Sequence, residues 1–343
     1  MQFLPGYDLF FNGVNYELKI HKPISYNDFM MLAQQIKHKA LEMGFDLVGI
    51  TDALPLNAEQ TQLLSDWLKA GCAAKMNYLH RNLEKRINPA KLLDSAQSVI
   101  VVGLNYKPKF PSLQARPSTG KVAHYAQYED YHPFIKNRLR KLSDFLISIA
   151  GKNLKFKICV DSAPLAERAL AARAGLGFIG KNRMLIHSQL GPQIFLGEII
   201  TTLKLQPDES ITANCSGCNK CIAACPTGSL RTDGFLDANK CINYLTIEYK
   251  GQIHSDLSQK IGDRLFGCDD CVLACPYQQN APVCKNNQFK FYADRANINL
   301  NDVLALTEES FKTQFADSVI KRPGLDLLKR NAQICLKNSR LSV

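Results

Sequence analysis

CSGCNKCIAACP (215–226) and CDDCVLACP (268–276) govern the reading of this chain. The first run spaces its cysteines C-x2-C-x2-C-x3-C-P and the second C-x2-C-x3-C-P. A tight turn can aim three thiolates at three irons of a cubane, and the fourth iron takes its ligand from elsewhere. In two-cluster ferredoxin runs the fourth Cys of one run serves the other cluster. The expected pairing is therefore crosswise. One [4Fe–4S] cluster takes Cys215, Cys218, Cys221 and Cys275. The other takes Cys225, Cys268, Cys271 and one more ligand. The second run is one cysteine short, and Cys241 is the best candidate to complete it. Structural zinc is the alternative, but it needs only four ligands from closely spaced Cys pairs, and two runs ending in Cys-Pro are more specific than that.

Outside these runs the composition is ordinary. Of 343 residues, 46% are hydrophobic and 21% charged, which excludes disordered and collagen-like chains. No apolar run approaches the roughly 18 residues that a spanning helix needs. The N-terminal MQFLPGYDLFFNGVNYELKI lacks the basic start and small-residue cleavage site of a signal peptide, so a cytoplasmic location with no membrane partner is expected. Eight of the 12 cysteines lie between residues 215 and 275, and in a reducing compartment such a cluster points to metal before disulfides. The other four, Cys72, Cys159, Cys284 and Cys335, are isolated and read as small buried hydrophobes. The net charge of +11 is local: residues 66–157 hold 17 Lys and Arg against 6 acids, which accounts for all of it. Such a stretch favours a polyanionic partner such as nucleic acid, with a solvated face as the alternative.

Periodicity predicts helices over 26–43, 57–70, 129–150 and 164–174, and strands over 45–50, 98–106, 155–161 and 195–203. Residues 107–120 carry three prolines and read as a loop. Strands alternating with helices argue an α/β (α+β) sheet domain over 1–209. Residues 210–285 form the cysteine-rich, ferredoxin-like unit, and 286–343 return to helical patterns. Two adjacent clusters conduct single electrons, so the sheet domain should hold a redox cofactor or an electron-accepting substrate. No G-x-G-x-x-G follows a strand to open a helix, and neither a Walker A run nor D-x-H-x-x-G is present.

VDSAPLAERALAARAGLGFIGKN (160–182), CSGCNKCIAACPTGSL (215–230), KCINYLTIEYKG (240–251) and FGCDDCVLACPYQ (266–278) together resemble the epoxyqueuosine reductases. AQYEDYHPFIKNRLRKL (126–142) and RPGLDLLKRNAQICL (322–336) fit the same family, so the resemblance runs from about residue 28 to 335. It implies a cobalamin-binding sheet domain, a domain with two [4Fe–4S] clusters and a short HEAT-like helical segment. It also implies reduction of the epoxide of epoxyqueuosine at the tRNA wobble position. Cobalamin would bind without a protein imidazole, in agreement with the missing D-x-H-x-x-G. An external donor such as a flavodoxin or ferredoxin would supply electrons to a monomeric enzyme. A corrinoid reductive dehalogenase and a non-catalytic ferredoxin-type carrier are the competing readings. The first has no use for the basic stretch, and the second has none for the domain ahead of the clusters.

The resemblance makes Asp161 the proton donor. Opening an epoxide creates an alkoxide, which a neutral carboxylic acid protonates as it forms; that role calls for a pKa raised by burial. Asp161 also stands at the end of a strand, where α/β sheets place ligands. The alternative is a cap for the helix near Ala163 and Pro164. Arg86, His124, Asp161, Lys181, Asn182, Asp269 and Asp270 are the candidate cobalamin contacts. His124, Tyr125, Tyr128, Tyr131 and His132 crowd one region and could stack on a flipped base or donate to the epoxide. Lys107, Lys109, Lys121, Lys136, Arg138, Arg140 and Lys141 are the candidate tRNA contacts.

Overall fold

SVIVVGLN (98–105) and IFLGEIIT (194–201) form two strands in which every residue is buried. The computed structural model describes residues 26–109 and 118–341. The N-terminal stretch read for a signal peptide and residues 110–117 of the proline-rich loop lie outside the described residues. In chain order the strands are β1 (Leu47–Asp52), β2 (Ser98–Asn105), β3 (Thr119–Val122), β4 (Phe156–Cys159), β5 (Phe178–Ile179), β6 (Leu185–Ile186), β7 (Ile194–Thr201), β8 (Arg264–Phe266) and β9 (Asn297–Asn299).

The main sheet has the order β1-β2-β7-β4, and every neighbouring pair in it is antiparallel. The sheet domain is thus α+β, and the rule that places ligands at the carboxyl ends of parallel strands does not apply. Strand–helix alternation misleads here because a sheet covered on both faces reads as continuous apolar runs whichever way its strands point. Side chains alternate across the sheet. Ile100, Val102 and Leu104, with Phe195 and Ile199, face the helices Tyr26–Glu42 and Tyr131–Ala150. Val99, Val101, Leu196 and Ile200 face the helix Glu167–Arg173 through Leu170 and Ala171. Each such buried aliphatic side chain contributes about 1.5–3 kcal/mol. Gly197 lets the Tyr131–Ala150 helix sit close, since a Cβ there would lie 2.7 Å from Ile135. That helix carries His132 in its first turn.

A second sheet, ordered β8-β3-β9, joins strands from three distant stretches. Around it Val122, Ile242, Phe266, Ile298, Phe315 and Leu328 belong to one core. Packing therefore runs across the expected boundary at 285. The final helix, Leu325–Leu341, rests on the cluster-bearing unit rather than standing apart. AGLGFIGKN supplies the first strand and the turn of the β5–β6 hairpin. Among the described residues no helix is long and apolar enough to cross a membrane. Of the isolated cysteines, Cys72, Cys159 and Cys335 are buried and Cys284 is half-buried.

Candidate active site

Asp161 lies just beyond β4, where the chain enters the left-handed region (φ +55°). Asp and Asn tolerate that conformation best among residues with a side chain. Glu167, in the first turn of the next helix, reaches back and accepts the Asp161 N–H at 2.6 Å. The Asp161 carboxylate is not a cap for this helix, whose N-cap position is Ala166. Its Oδ2 instead lies 3.1 Å from His132 Nε2.

His132 is buried and held from its other side. Its Nδ1 lies 2.6 Å from Asp130 Oδ1, and Asp130 is the N-cap of the Tyr131–Ala150 helix. Tyr131 stacks on His132 and on Phe195, at ring separations of 4.0 and 4.1 Å. An imidazole between two carboxylates retains a proton. Burial pulls the His132 pKa down, but the bonds to Asp130 and Asp161 outweigh it and the net shift is upward. For Asp161, burial pushes up, yet the His132 bond and charge, with Arg322 and Arg168, bring it below the ordinary carboxylate value. The raised Asp161 pKa expected from the sequence is thus not what the fold provides. The proton belongs to the His132–Asp161 pair and is weighted towards the imidazole.

Tyr125 and Tyr131 are pushed up first by burial and then by charge; Asp161 acts on both, and Asp269 on Tyr125. Tyr128 is buried away from them, stacked on Phe289 at 4.6 Å. Asp269 Oδ2 accepts the His124 N–H at 2.6 Å, and His124 Nδ1 lies 2.9 Å from Gln193 Nε2. Gln193 accepts a 2.6 Å bond from Gln278, on the short helix that follows Cys275. His124 is thereby fastened to both ends of the second cysteine run. Arg86 donates through Nη1 to Leu165 O at 3.3 Å, and the charges of Tyr78, Glu167 and Asp161 act on it. Its Nε is buried without a hydrogen-bond partner.

The other candidate cofactor contacts lie against the cysteine loops. The Lys181 N–H points at Cys215 Sγ (3.3 Å), and its Nζ donates to Ser216 O (3.3 Å) and Asn219 Oδ1 (2.8 Å). Asn182 Nδ2 donates to Cys271 O at 3.3 Å, and Asp270 pairs with Arg264 at 2.6 Å. The fold brings the eight cysteines into two groups. Cys221 and Cys275 each feel the charges of Cys215 and Cys218. Cys271 feels Cys268, Cys241 and Cys225. Backbone N–H groups of Thr227, Ser229 and Leu230 face the Cys225 sulfur, and those of Asn243 and Tyr244 face Cys241.

The basic candidates divide. Lys136, Arg140 and Lys141 are exposed on the Tyr131–Ala150 helix. Lys109 is exposed, and Lys121 is exposed and pairs with Asp263 at 2.9 Å. Lys107 turns inward, where its Nζ donates to Gln278 O at 3.0 Å and Ala281 O at 2.5 Å. Arg138 stacks over Phe134 at 3.5 Å and donates to Met43 O and Gln288 Oε1. From the sequence both should meet RNA, but in the fold their charges serve carbonyls and a side-chain amide of the protein itself. Asp130, Glu167 and Glu198 escaped the sequence reading. A charge in the middle of the apolar run FLGEIITTL was the available signal for Glu198.

Residues 86–162 match the family described as Epoxyqueuosine reductase QueG, DUF1730, and residues 214–278 match a 4Fe-4S double cluster binding domain. The epoxyqueuosine reductase of Vibrio cholerae is 36% identical over 318 residues, which cover 92% of this chain and 85% of that protein. The chain belongs to the epoxyqueuosine reductase family. The epoxyqueuosine reductase of Leadbetterella byssophila is 38% identical, covering 87% of this chain and 96% of that protein. A crystal structure of epoxyqueuosine reductase with a tRNA-Tyr epoxyqueuosine-modified stem loop superposes with a TM-score of 0.85 at 30% identity, covering 91% of this chain and 82% of that one. The Bacillus subtilis epoxyqueuosine reductase (TM-score 0.83, 29% identity, 91% and 82% covered) has been seen with its Asp catalytic loop swung out of the active site. Epoxyqueuosine reductases are oxidoreductases, and the double-cluster domain marks this member as an iron–sulfur protein.

Proposed function

We propose that this chain reduces epoxyqueuosine in tRNA to queuosine, with the His132–Asp161 pair as the acid. Removing the epoxide oxygen as water takes two electrons and two protons and leaves an alkene. The observation that carries the reading is the Asp130–His132–Asp161 line, which ends in a half-exposed carboxylate beside the aromatic rings Tyr125 and Tyr131. A Bacillus subtilis relative is described as having an Asp catalytic loop, which favours an Asp on a turn, as Asp161 is, for the role of acid.

Cys215, Cys218, Cys221 and Cys275 hold one [4Fe–4S] cluster, and Cys225, Cys241, Cys268 and Cys271 the other; the two spatial groups support this crosswise set. N–H groups aimed at the sulfurs raise a cluster's potential, so the backbone around Cys225 and Cys241 tunes the second cluster. Cobalamin, when bound, would supply low-potential, single-electron reducing chemistry at this site. The site suits it on one specific count. The unpartnered Arg86 Nε, near Asp161, is a buried donor in need of an acceptor such as a corrin amide or phosphate. Arg86, His124 and Asp269 would hold the group, while Lys181, Asn182 and Asp270 brace the cluster loops. His132 hands its proton through Asp161 to the oxygen leaving carbon. The exposed Lys136, Arg140 and Lys141 hold RNA phosphates. The enzyme works as a monomer in the cytoplasm, fed by a flavodoxin or ferredoxin. The test is single-turnover conversion of epoxyqueuosine-containing RNA by wild type and Asp161→Asn, with cluster and cobalamin content measured on both.

A further inference from the structure

Three large apolar side chains from separate stretches stand exposed around one groove: Leu54 (63% exposed), Ile179 (37%) and Ile211 (46%). The groove has a volume of about 410 Å³. Single exposed apolar residues are ordinary, but several gathered on a concave surface mark a place where another surface docks. The groove is also held in shape. Arg173 fixes the turn that carries Leu54, donating to the carbonyls of Asp52 (2.9 Å), Leu54 (3.1 Å) and Pro55 (3.1 Å). Its charge is met by the Asp52 carboxylate at 3.2 Å.

The groove leads to the cysteines. Alternation along β5 sends Phe178 inward and Ile179 outward, and both line the groove. Phe178 forms one apolar cluster with Ile186 and Cys275, and Cys215 packs against it. Tyr277, just beyond Cys275, is exposed and meets the Phe178 ring edge-on at 5.7 Å. The loop carrying Cys215 and Cys218 faces outward, since residues 210–214, 216, 217, 219 and 220 are all exposed. The loop carrying Cys268 and Cys271 is fastened to the sheet domain instead, by Asp269 on the His124 N–H and by Asn182 on Cys271 O.

We propose that this groove docks the protein that reduces the clusters, a small acidic carrier of single electrons with an apolar contact face. It delivers to the cluster of Cys215, Cys218, Cys221 and Cys275. The inference rests on the cluster assignment and the external donor of the proposed function, and adds where that donor binds and what surface it presents. In the step itself the carrier is oxidised by one electron and the cluster reduced by one; no bond breaks and no proton moves. Electron transfer slows steeply with distance, so the carrier must seat its cofactor edge against the side chains that cover the cluster. On this side they are Phe178, Ile179 and Tyr277.

Charge selects the partner. Lys181 Nζ donates to Ser216 O and Asn219 Oδ1, both neutral, and Lys220 is exposed at the end of the same loop. Among the described residues neither lysine is ion-paired to an acid. The exposed Glu209 stands at the start of the loop, so positive charge gathers at the end that carries the cysteines. An apolar centre with a charged rim is the pattern of small, transient redox interfaces, where rim charge steers the encounter. RNA fits this groove poorly, because its centre is apolar and its arginine is already occupied.

Leu54→Asp and Ile211→Asp put charge at exposed positions that the fold should tolerate. Isotopically labelled, oxidised flavodoxin is the probe. Its NMR titration with the cluster-loaded full chain gives an affinity without any electron moving. Either variant should weaken binding by about tenfold or more, the effect of a charge in the centre of an apolar contact. Lys220→Glu should also weaken it and flatten its salt dependence; this variant decides if either of the others fails to fold. In stopped flow, reduced flavodoxin should bleach the clusters of each variant correspondingly more slowly, while methyl viologen, which needs no groove, bleaches all of them at the wild-type rate. Unchanged flavodoxin affinity and rate in the variants overturns the docking site. So does equal slowing with viologen, which places the fault in the cluster. Loss of tRNA affinity or of self-association with flavodoxin binding intact gives the groove to RNA or to a second copy, and overturns it too. A wild type whose iron content and EPR spectrum show no pair of cubanes would sink the cluster assignment instead, so the two failures are told apart.

Discussion

His132 Nε2 and Asp161 Oδ2 lie 3.1 Å apart although 29 residues separate them in the chain. One comes from the first turn of a long helix and the other from a left-handed turn beyond an edge strand. Their contact sets where the acid proton resides.

Asp161→Asn should lower the single-turnover rate by about 10²–10⁴, the usual loss on removing a positioned acid. Asn accepts the left-handed backbone and keeps the N–H that Glu167 holds, so fold, clusters and cobalamin occupancy should survive. Absorption and EPR spectra of the variant check this. Near wild-type activity at full occupancy would remove Asp161 from the mechanism.

The His132 pKa is raised above its ordinary value of about 6.5, so its proton is fully present below that value and is lost as pH climbs through the higher folded-state value. Turnover should hold to a more alkaline pH than an ordinary histidine allows, and then fall. In Asp130→Asn, with one carboxylate gone, the limb should move to lower pH. Rate–pH profiles for both proteins give the answer, and an unmoved limb would assign it to another group.

Cys275→Ser should damage the same cluster as Cys215→Ser, and Cys241→Ser the same cluster as Cys225→Ser. EPR with iron counts on each variant distinguishes the two. Loss of one shared cluster in the Cys275 and Cys268 variants would contradict crosswise ligation.

Charge reversal at Lys136, Arg140 and Lys141 should weaken tRNA binding, with the salt slope flattening by about 0.7–0.9 per lost phosphate contact. Lys107→Met should behave differently. It removes charged hydrogen bonds to the Gln278 and Ala281 carbonyls and should cost about 1–3 kcal/mol of stability, with the salt slope kept. Binding titrations at several salt concentrations, alongside denaturant unfolding, separate the two classes.

The cysteine runs were readable from spacing because cluster ligation is local: three thiolates on one turn must fall two or three residues apart whatever the rest of the chain does. The helices were readable for a similar reason, since Ile135, Leu139, Leu142 and Leu146 repeat along one buried stripe. Sheet direction was not, because burial on both faces erases the alternation that marks an antiparallel sheet, and β2 and β7 are buried at all positions. Nor was the fate of single charges. Lys107 and Lys136 are the same residue type in the same basic stretch, yet one binds carbonyls and the other faces solvent. Asp161 was marked by resemblance, but its protonation depends on His132, and its turn is held by the Glu167 carboxylate that accepts its N–H. Spacing along a chain encodes what neighbouring residues do together. The ionisation of a buried group is set by whichever charges packing brings within a few ångströms, and that information exists only once the sheet, the two helices and the turn have come together.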